Sequence, residues 1–186
     1  MRKVLTPFLA LALSAMPLAT LAAQPPAPPG KTKRVCSGVI SATTVKGGLV
    51  VPAGATCQLD AVVVNGHVKV QPGGTLTVCG SSLNGGIAAT DAAAITVGSG
   101  ADADDTSQCA PSSINGDVTI LDSGTTAVEL EGATISETVT LTNNGAVQVE
   151  GNTIGGDLDC TGNASVTNDG LPNTVTGTES GQCLGL

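Results

Sequence analysis

One spacing recurs along the chain and limits what it can fold into. An apolar residue follows a polar corner at intervals of 19, 19, 31, 21 and 19 residues, at Leu49, Val68, Ile87, Val118, Val139 and Leu158. Further apolar positions keep step with this series, two, eight and ten residues later. Within each repeat the apolar residues alternate with small or polar ones, and this period of two indicates a strand with one buried face.

A coil of about 19 residues is the length of one turn of a parallel β-helix, in which neighbouring turns lie ~4.8 Å apart. We therefore predict an all-β fold, a single-stranded parallel β-helix that we expect to be right-handed, with about six coils over residues 36–186. The chain has no Trp or Tyr, and its single Phe lies in the N-terminal apolar run. A stack of small β-branched residues fits this composition, because it does not need large rings to fill irregular space.

The recurring corner has the sequence Asn-Gly in the earlier coils. It begins at Asn65, Asn84 and Asn115, and gives way to Ser136-Glu137 and Gly155-Gly156 later. Asn and Gly tolerate a left-handed backbone, so we predict left-handed corners here. The three Asn side chains are expected to form one structural column, with amides hydrogen-bonded along the stack.

The N-terminal residues indicate export. Arg2 and Lys3 precede an apolar run that ends in small residues, which predicts a cleaved signal peptide over residues 1–23. The Pro-rich stretch 24–35 is interpreted as an extended linker. We find no later apolar span that suggests a transmembrane segment. The expected location is secreted, either extracellular or periplasmic.

The charge balance narrows the choice of partners. Loss of residues 1–23 would remove two of the seven basic residues and none of the fifteen acidic ones, leaving a formal net charge of −10. Such a surface repels nucleic acid and anionic membranes. Polysaccharide or another surface protein is the expected partner, and the chain itself is expected to be monomeric or to associate end to end.

Six cysteines in an exported chain predict three disulfides, and the absence of a Cys-x-x-Cys pair argues against a zinc site. The third coil carries an insertion at about residues 98–112 that contains one cysteine. Position along the coils favours the pairs Cys36–Cys57, Cys79–Cys109 and Cys160–Cys183, although six cysteines permit about fifteen connectivities. The first and last pairs would tie down the ends, and the middle pair would staple the insertion to the neighbouring coil.

The chain resembles the parallel β-helix, pectin-lyase-like architecture over roughly residues 36–183. The segments "GNTIGGDLDCTGN" (151–163) and "NTVTGTESGQC" (173–183) are similar to small uncharacterised secreted bacterial parallel β-helix proteins. The catalytic motifs of pectin-lyase-like enzymes are missing, since Gly66-His67 is followed by Val68 and no Arg follows Arg34. The resemblance therefore implies a fold and a secreted location, but no activity.

Few residues suggest chemistry. Asp102, Asp104 and Asp105 lie in the insertion and offer oxygen ligands suited to calcium, although an acidic loop in contact with solvent is the favoured interpretation of this cluster. Asp157 and Asp159 are a second calcium candidate. His67, the only histidine, is expected to point outward into solvent, which leaves no Ser-His pair for nucleophilic catalysis. Calcium is the only cofactor that the sequence suggests.

These observations predict a protein that is not an enzyme. We expect a secreted or cell-surface β-solenoid that acts as a structural, adhesion or ligand-binding module, with the insertion as its recognition surface. A self-assembling extracellular polymer is the first alternative, because the chain resembles bactofilins in coil size and number. A carbohydrate-active β-helix enzyme that acts on polysaccharide is the second alternative. Outward carboxylates such as Glu129, Glu131 and Glu150 would then have to supply the chemistry.

Overall fold

A computed structural model of the protein describes residues 33–98, 109–124, 128–168 and 170–186. The chain divides into two compact units, residues 1–30 and 31–186, and all described residues belong to the second. Every regular element among the described residues is a β-strand, and the strands form three parallel sheets. The predicted parallel β-solenoid is thereby confirmed.

Each coil contributes one strand to each sheet. The first sheet contains β1 (Arg34–Val35), β4 (Leu49–Val51), β7 (Val68–Val70), β10 (Ile87–Thr90), β13 (Val118–Leu121), β16 (Val139–Thr142), β19 (Leu158–Thr161) and β22 (Glu179–Gly181). The second contains β2 (Gly38–Ser41), β5 (Thr56–Asp60), β8 (Thr75–Cys79), β11 (Ala94–Gly98), β14 (Val128–Glu131), β17 (Ala146–Glu150) and β20 (Ser165–Thr167). The third contains β3 (Thr44–Val45), β6 (Val63–Val64), β9 (Ser82–Leu83), β12 (Ser113–Ile114), β15 (Thr134–Ile135), β18 (Thr153–Ile154) and β21 (Thr174–Val175).

The register stacks equivalent apolar residues directly over one another. Leu49 pairs with Val68, and Val68 pairs with Ile87 one coil further along. These side chains are buried, as are their counterparts in the other two sheets. Because each strand alternates between the interior and the outer surface, one apolar core runs along the inside of the solenoid.

The repeat persists through both irregular places in the sequence. The coil after the insertion resumes in register, with Ile95 opposite Val128. Val128 in turn pairs with Val147, although two extra residues precede Val128 in its own coil. The added residues are therefore accommodated between strands, and the core columns continue unbroken.

The solenoid has about seven turns rather than the six expected. An additional strand lies at each end of the first sheet, β1 before Leu49 and β22 after Leu158. Their residues at the inward register position are Arg34 and Glu179. A search for apolar anchors misses both strands, since an end coil faces solvent on one side. The solenoid also begins at Arg34, two residues inside the segment assigned to the linker.

The predicted left-handed conformation of the Asn-Gly corners is wrong. None of Asn65, Asn84 and Asn115, and none of the glycines that follow them, is among the described residues with positive φ. Glycine is needed for another reason, because backbones approach closely. A Cβ on Gly85 would lie 2.7 Å from the carbonyl carbon of Gly66, which is closer than packed atoms allow.

Positive φ occurs instead at the other two corners of the coil. Between the second and third sheets it is adopted by Ala61 and, in other coils, by Gly80, Gly132 and Gly151. Between the first and second sheets it is adopted by Asp91, Asp122, Asn143 and Gly162. The residue that follows each of these eight along the chain is buried. A left-handed residue therefore turns the chain so that its successor enters the interior.

Candidate functional site

The structure joins the six cysteines in the pairs expected from the sequence. Cys36–Cys57, Cys79–Cys109 and Cys160–Cys183 have Cα–Cα distances of 5.5, 5.1 and 5.3 Å. The first and third pairs are buried and occupy the core near the two ends of the solenoid. The second is half-buried on the outer surface of the second sheet. The middle disulfide therefore anchors one end of the insertion, while the others stabilise the terminal coils.

A groove lies beside the anchored end of the insertion. It has a volume of about 330 Å³, and it is lined by outward residues of three successive strands and by both cysteines of the disulfide: Gln58, Asp60, Thr77, Cys79, Thr96, Gly98 and Cys109. In the register, Gln58 pairs with Thr77, and Thr77 pairs with Thr96. The wall of the groove is thus a regular polar column, and its volume falls in the range of small-ligand sites.

The polar column continues beyond the groove. Thr96 pairs with Glu129, and its hydroxyl donates a hydrogen bond of 3.1 Å to Oε2 of Glu129. Gln148 and Thr167 follow in the next two coils. Hydroxyl, amide and carboxylate groups therefore repeat at the spacing of the coils, ~4.8 Å, along the outer surface of the second sheet.

Two of the expected outward carboxylates lie side by side. Glu131 and Glu150 are partners in the register between β14 and β17. The side chain of Glu150 is 1 % exposed, so it is not an outward group in contact with solvent as the sequence suggested. Burial of this kind does not follow from strand alternation, which places Glu150 on the outer surface.

The predicted calcium ligands Asp102, Asp104 and Asp105 lie outside the described residues. Within the described part of the chain, no group of three or more His, Cys, Asp or Glu residues is arranged to hold a metal ion. Asp157 and Asp159, the second candidate, contact protein hydroxyls: Oδ1 of Asp157 accepts from Thr178, and Oδ1 of Asp159 accepts from Ser180. The backbone N–H and hydroxyl of Thr178 lower the pKa of Asp157 below its ordinary value.

His67 is exposed, and its ring has a structural partner. Its Nδ1 accepts a hydrogen bond of 3.1 Å from the backbone N–H of Gly86 in the next coil. A nitrogen that accepts this bond is not available to remove a proton from a nucleophile. The contact therefore supports a structural role for the imidazole.

The expected Asn column is present on the outer surface. Nδ2 of Asn84 donates to Oδ1 of Asn65 at 2.8 Å, and Nδ2 of Asn115 donates to Oδ1 of Asn84 at 3.1 Å. The hydroxyl of Ser136 then donates to Oδ1 of Asn115 at 3.4 Å. The ladder therefore extends one coil beyond its last Asn.

Two further Asn ladders are buried or, at Asn173, half-buried, and sequence reasoning missed both. In one, Asn144 accepts from the backbone N–H of Ser123 and donates to the carbonyl of Ile120. Asn163 accepts from Asn144 and donates to the carbonyl of Leu141. The other ladder contains Asn152 and Asn173. Their spacings of 19 and 21 residues equal the coil lengths, and this was the signal available in the sequence.

Comparison with known proteins gives no family for the chain: no family model, curated protein or solved structure matches it. The structure defines its class as a disulfide-bonded parallel β-solenoid. The resemblance to secreted bacterial β-helix proteins remains an expectation from the sequence.

No helix among the described residues is long and apolar enough to cross a membrane. The three disulfides are compatible with an extracellular location.

Proposed function

We propose that this protein is a non-catalytic, secreted or cell-surface β-solenoid that binds an extracellular polysaccharide or surface protein beside the coil-three insertion. The observation that carries the proposal is the groove lined by Gln58, Thr77 and Thr96 next to the Cys79–Cys109 disulfide. A rigid scaffold that holds a variable loop beside a groove is a common arrangement for recognition.

The chemistry of the groove favours a polymer rich in hydroxyl groups. Gln58 offers an amide, and Thr77 and Thr96 offer hydroxyls at regular spacing. Without Trp or Tyr in the chain, sugar binding would rest on hydrogen bonds rather than ring stacking. Asp60 and Glu129 lie in and beside the groove, so we expect neutral or cationic polymers to bind better than acidic ones.

The test is direct binding of a soluble neutral β-glucan, glucosamine oligomers and polygalacturonate, each measured with calcium and with EDTA. We expect a Thr77→Ala/Thr96→Ala variant to bind roughly tenfold more weakly, the effect of one to two lost hydrogen bonds. A second groove, of about 350 Å³ on the outer surface of the first sheet, includes Thr119 and provides the matched control. Thr119→Ala should bind as the unmodified protein does.

Release of the insertion provides a second measurement. Cys79→Ser/Cys109→Ser removes the middle disulfide and leaves the two buried disulfides in place. We expect weaker binding with circular dichroism unchanged. Equal binding by all variants would refute a site at this groove.

Formation of new reducing ends from a polysaccharide, abolished by substitution of outward carboxylates, would favour the enzyme alternative instead.

A further inference from the structure

The charges of this chain are segregated along the solenoid. Residues 70–186 contain fourteen of the fifteen acidic residues, all except Asp60, and no basic residue. The described basic residues Lys33, Arg34, Lys46 and Lys69 all lie in the first coils. One end of the solenoid is therefore basic and the other acidic, which gives the molecule a strong electrostatic polarity.

The two end coils place opposite charges in one register column. Arg34 pairs with Leu49 at the first coil, and Glu179 pairs with Leu158 at the last. The column that is apolar throughout the interior therefore begins with a cation and ends with an anion. Oε2 of Glu179 also accepts a hydrogen bond of 2.9 Å from the backbone N–H of Gly185, which orients this carboxylate.

Exposed apolar side chains are also concentrated at the ends. Of the five exposed large hydrophobic residues in the described part of the chain, Val35 (63 %) and Val39 (66 %) belong to the first coil. Leu171 (46 %) and Leu184 (74 %) belong to the last. Val175, Glu179 and Leu184 line a wide concavity of about 590 Å³ at the acidic end. Apolar surface rimmed by polar groups is typical of an interaction site.

Each end also presents unpaired strand edges. β1, β2 and β3 are edge strands at the basic end, and β22, β20 and β21 are edge strands at the acidic end. Edge strands are templates for pairing with another chain. Since all neighbouring coils pair in parallel, β1 of a second copy stacked on β22 would continue the first sheet, which has one strand more than the other two, with the same strand direction.

We propose that the protein associates head to tail with a second copy of itself, the basic first coil of one molecule stacking on the acidic last coil of the next. At the coil spacing of ~4.8 Å, Arg34 would lie beside Glu179 of the neighbouring copy and within reach of an ion pair. Head-to-head stacking would instead bring two basic first coils together. A heterologous contact of this kind continues into a linear array.

The contact is expected to be weak and sensitive to salt. The C-terminal turn, tied down by the Cys160–Cys183 disulfide, places Leu186 partly over the core, so this end is only partly open. Val35 and Val39 occupy outward register positions, opposite Val50 and Gln58, so their apolar contribution comes from the rim. Complementary charge therefore decides the orientation, and added salt should weaken it.

The test is sedimentation velocity of the oxidised protein over a range of concentrations, at low and high salt. We expect concentration-dependent growth at low salt that high salt reverses. Arg34→Glu alone and Glu179→Arg alone should each lower the association constant roughly tenfold or more, because each places like charges in contact. An equimolar mixture of the two variants should associate again. In the mixture, the substituted first coil of one variant meets the substituted last coil of the other, and the two unsubstituted ends also carry opposite charges.

Matched controls carry the same charge changes away from the ends. Lys69→Glu, two coils inside the basic end, and Glu137→Arg alter exposed residues outside the stacked end coils, and both variants should associate as the unmodified protein does. Circular dichroism establishes that each variant is folded, and the salt titration tests the idea without any substitution. A protein that is monomeric throughout, or single variants that associate normally, would overturn the proposal. A mixture that fails to recover would do the same. These outcomes leave the groove hypothesis untouched, because none of the substitutions lies in the groove.

Discussion

Each coil turns three corners, and the corner that leads into the first sheet differs from the other two. At Asn65, Asn84 and Asn115 the chain turns without positive φ, and the Asn side chains bond to one another in solvent. At the other two corners a left-handed residue precedes a buried one, and buried Asn side chains bond to the backbone. Asn therefore forms side-chain hydrogen bonds on the outer surface at one corner, and at the other two it forms hydrogen bonds with buried backbone groups.

The strongest test of this difference is the loss of a buried amide. Asn144→Ala would leave the N–H of Ser123 and the carbonyl of Ile120 without their present partners. Because unsatisfied buried groups are costly, we expect the free energy of unfolding to fall by about 3 kcal/mol. Denaturant unfolding under oxidising conditions measures the change. Asn84→Ala at the exposed ladder is the control, with an expected loss of about 0.5 kcal/mol. Equal losses of unfolding free energy in the two variants would contradict a difference between the buried and the exposed Asn ladders.

Close backbone contact at the Asn-Gly corner predicts the next largest effect. A Cβ on Gly85 would meet the backbone of Gly66 and His67 at 2.7 and 2.8 Å. Gly85→Ala should therefore cost about 2 kcal/mol through overpacking. Gly54 has φ +68° and open space around its Cβ position, so Gly54→Ala tests conformation alone. We expect about 1 kcal/mol there. If Gly85→Ala is tolerated, the close-contact explanation of this corner fails.

Replacement of an alanine that has positive φ should increase the stability of the protein rather than lower it. Ala61 has φ +53°, where other coils use Gly80, Gly132 and Gly151. Relief of backbone strain should outweigh the added entropy of the unfolded chain, so we expect Ala61→Gly to stabilise the protein by about 0.5 kcal/mol. The midpoint of denaturant unfolding should rise with an unchanged slope. A lower midpoint would show that this alanine is not strained.

Acid sensitivity is the smallest expected effect. The pKa of Asp157 is lowered by hydrogen bonds from the backbone and side chain of Thr178. A carboxyl with a depressed pKa stabilises the fold above its unfolded-state pKa, about 3.9, and loses that contribution as pH falls through the folded-state value. Asp157→Asn should therefore narrow the stability difference between neutral and strongly acidic pH. An undiminished difference would mean that Asp157 contributes nothing to it.

Sequence reasoning identified the features that repeat in register and missed those that depend on an environment. The apolar columns, the outer Asn ladder and the position of the insertion follow from the spacing alone. The end coils were missed, because Arg34 and Glu179 occupy positions that are apolar elsewhere. The burial of Glu150 was also missed, since alternation along β17 predicts an outward side chain in solvent.

The candidate site was predictable only in outline. The extra residues of coil three and Cys109 identified where a loop leaves the solenoid. That Gln58, Thr77 and Thr96 form one wall beside the disulfide depends on which residues of three coils share a register column. The lowered pKa of Asp157 likewise depends on Thr178, which is 21 residues away in sequence and adjacent only in the stack.

The sequence by itself determined the parallel solenoid, because a period near 19 with alternating apolar residues can bury its apolar side only by stacking coil on coil. Tertiary structure alone decided how each corner turns and which Asn side chains enter the interior. Backbone conformation at a corner depends on contacts with the coils on either side, and a single coil contains only half of each such contact. The charge difference between the two ends depends on both. The sequence separates the basic from the acidic residues, and the strand register places Arg34 and Glu179 in the same column.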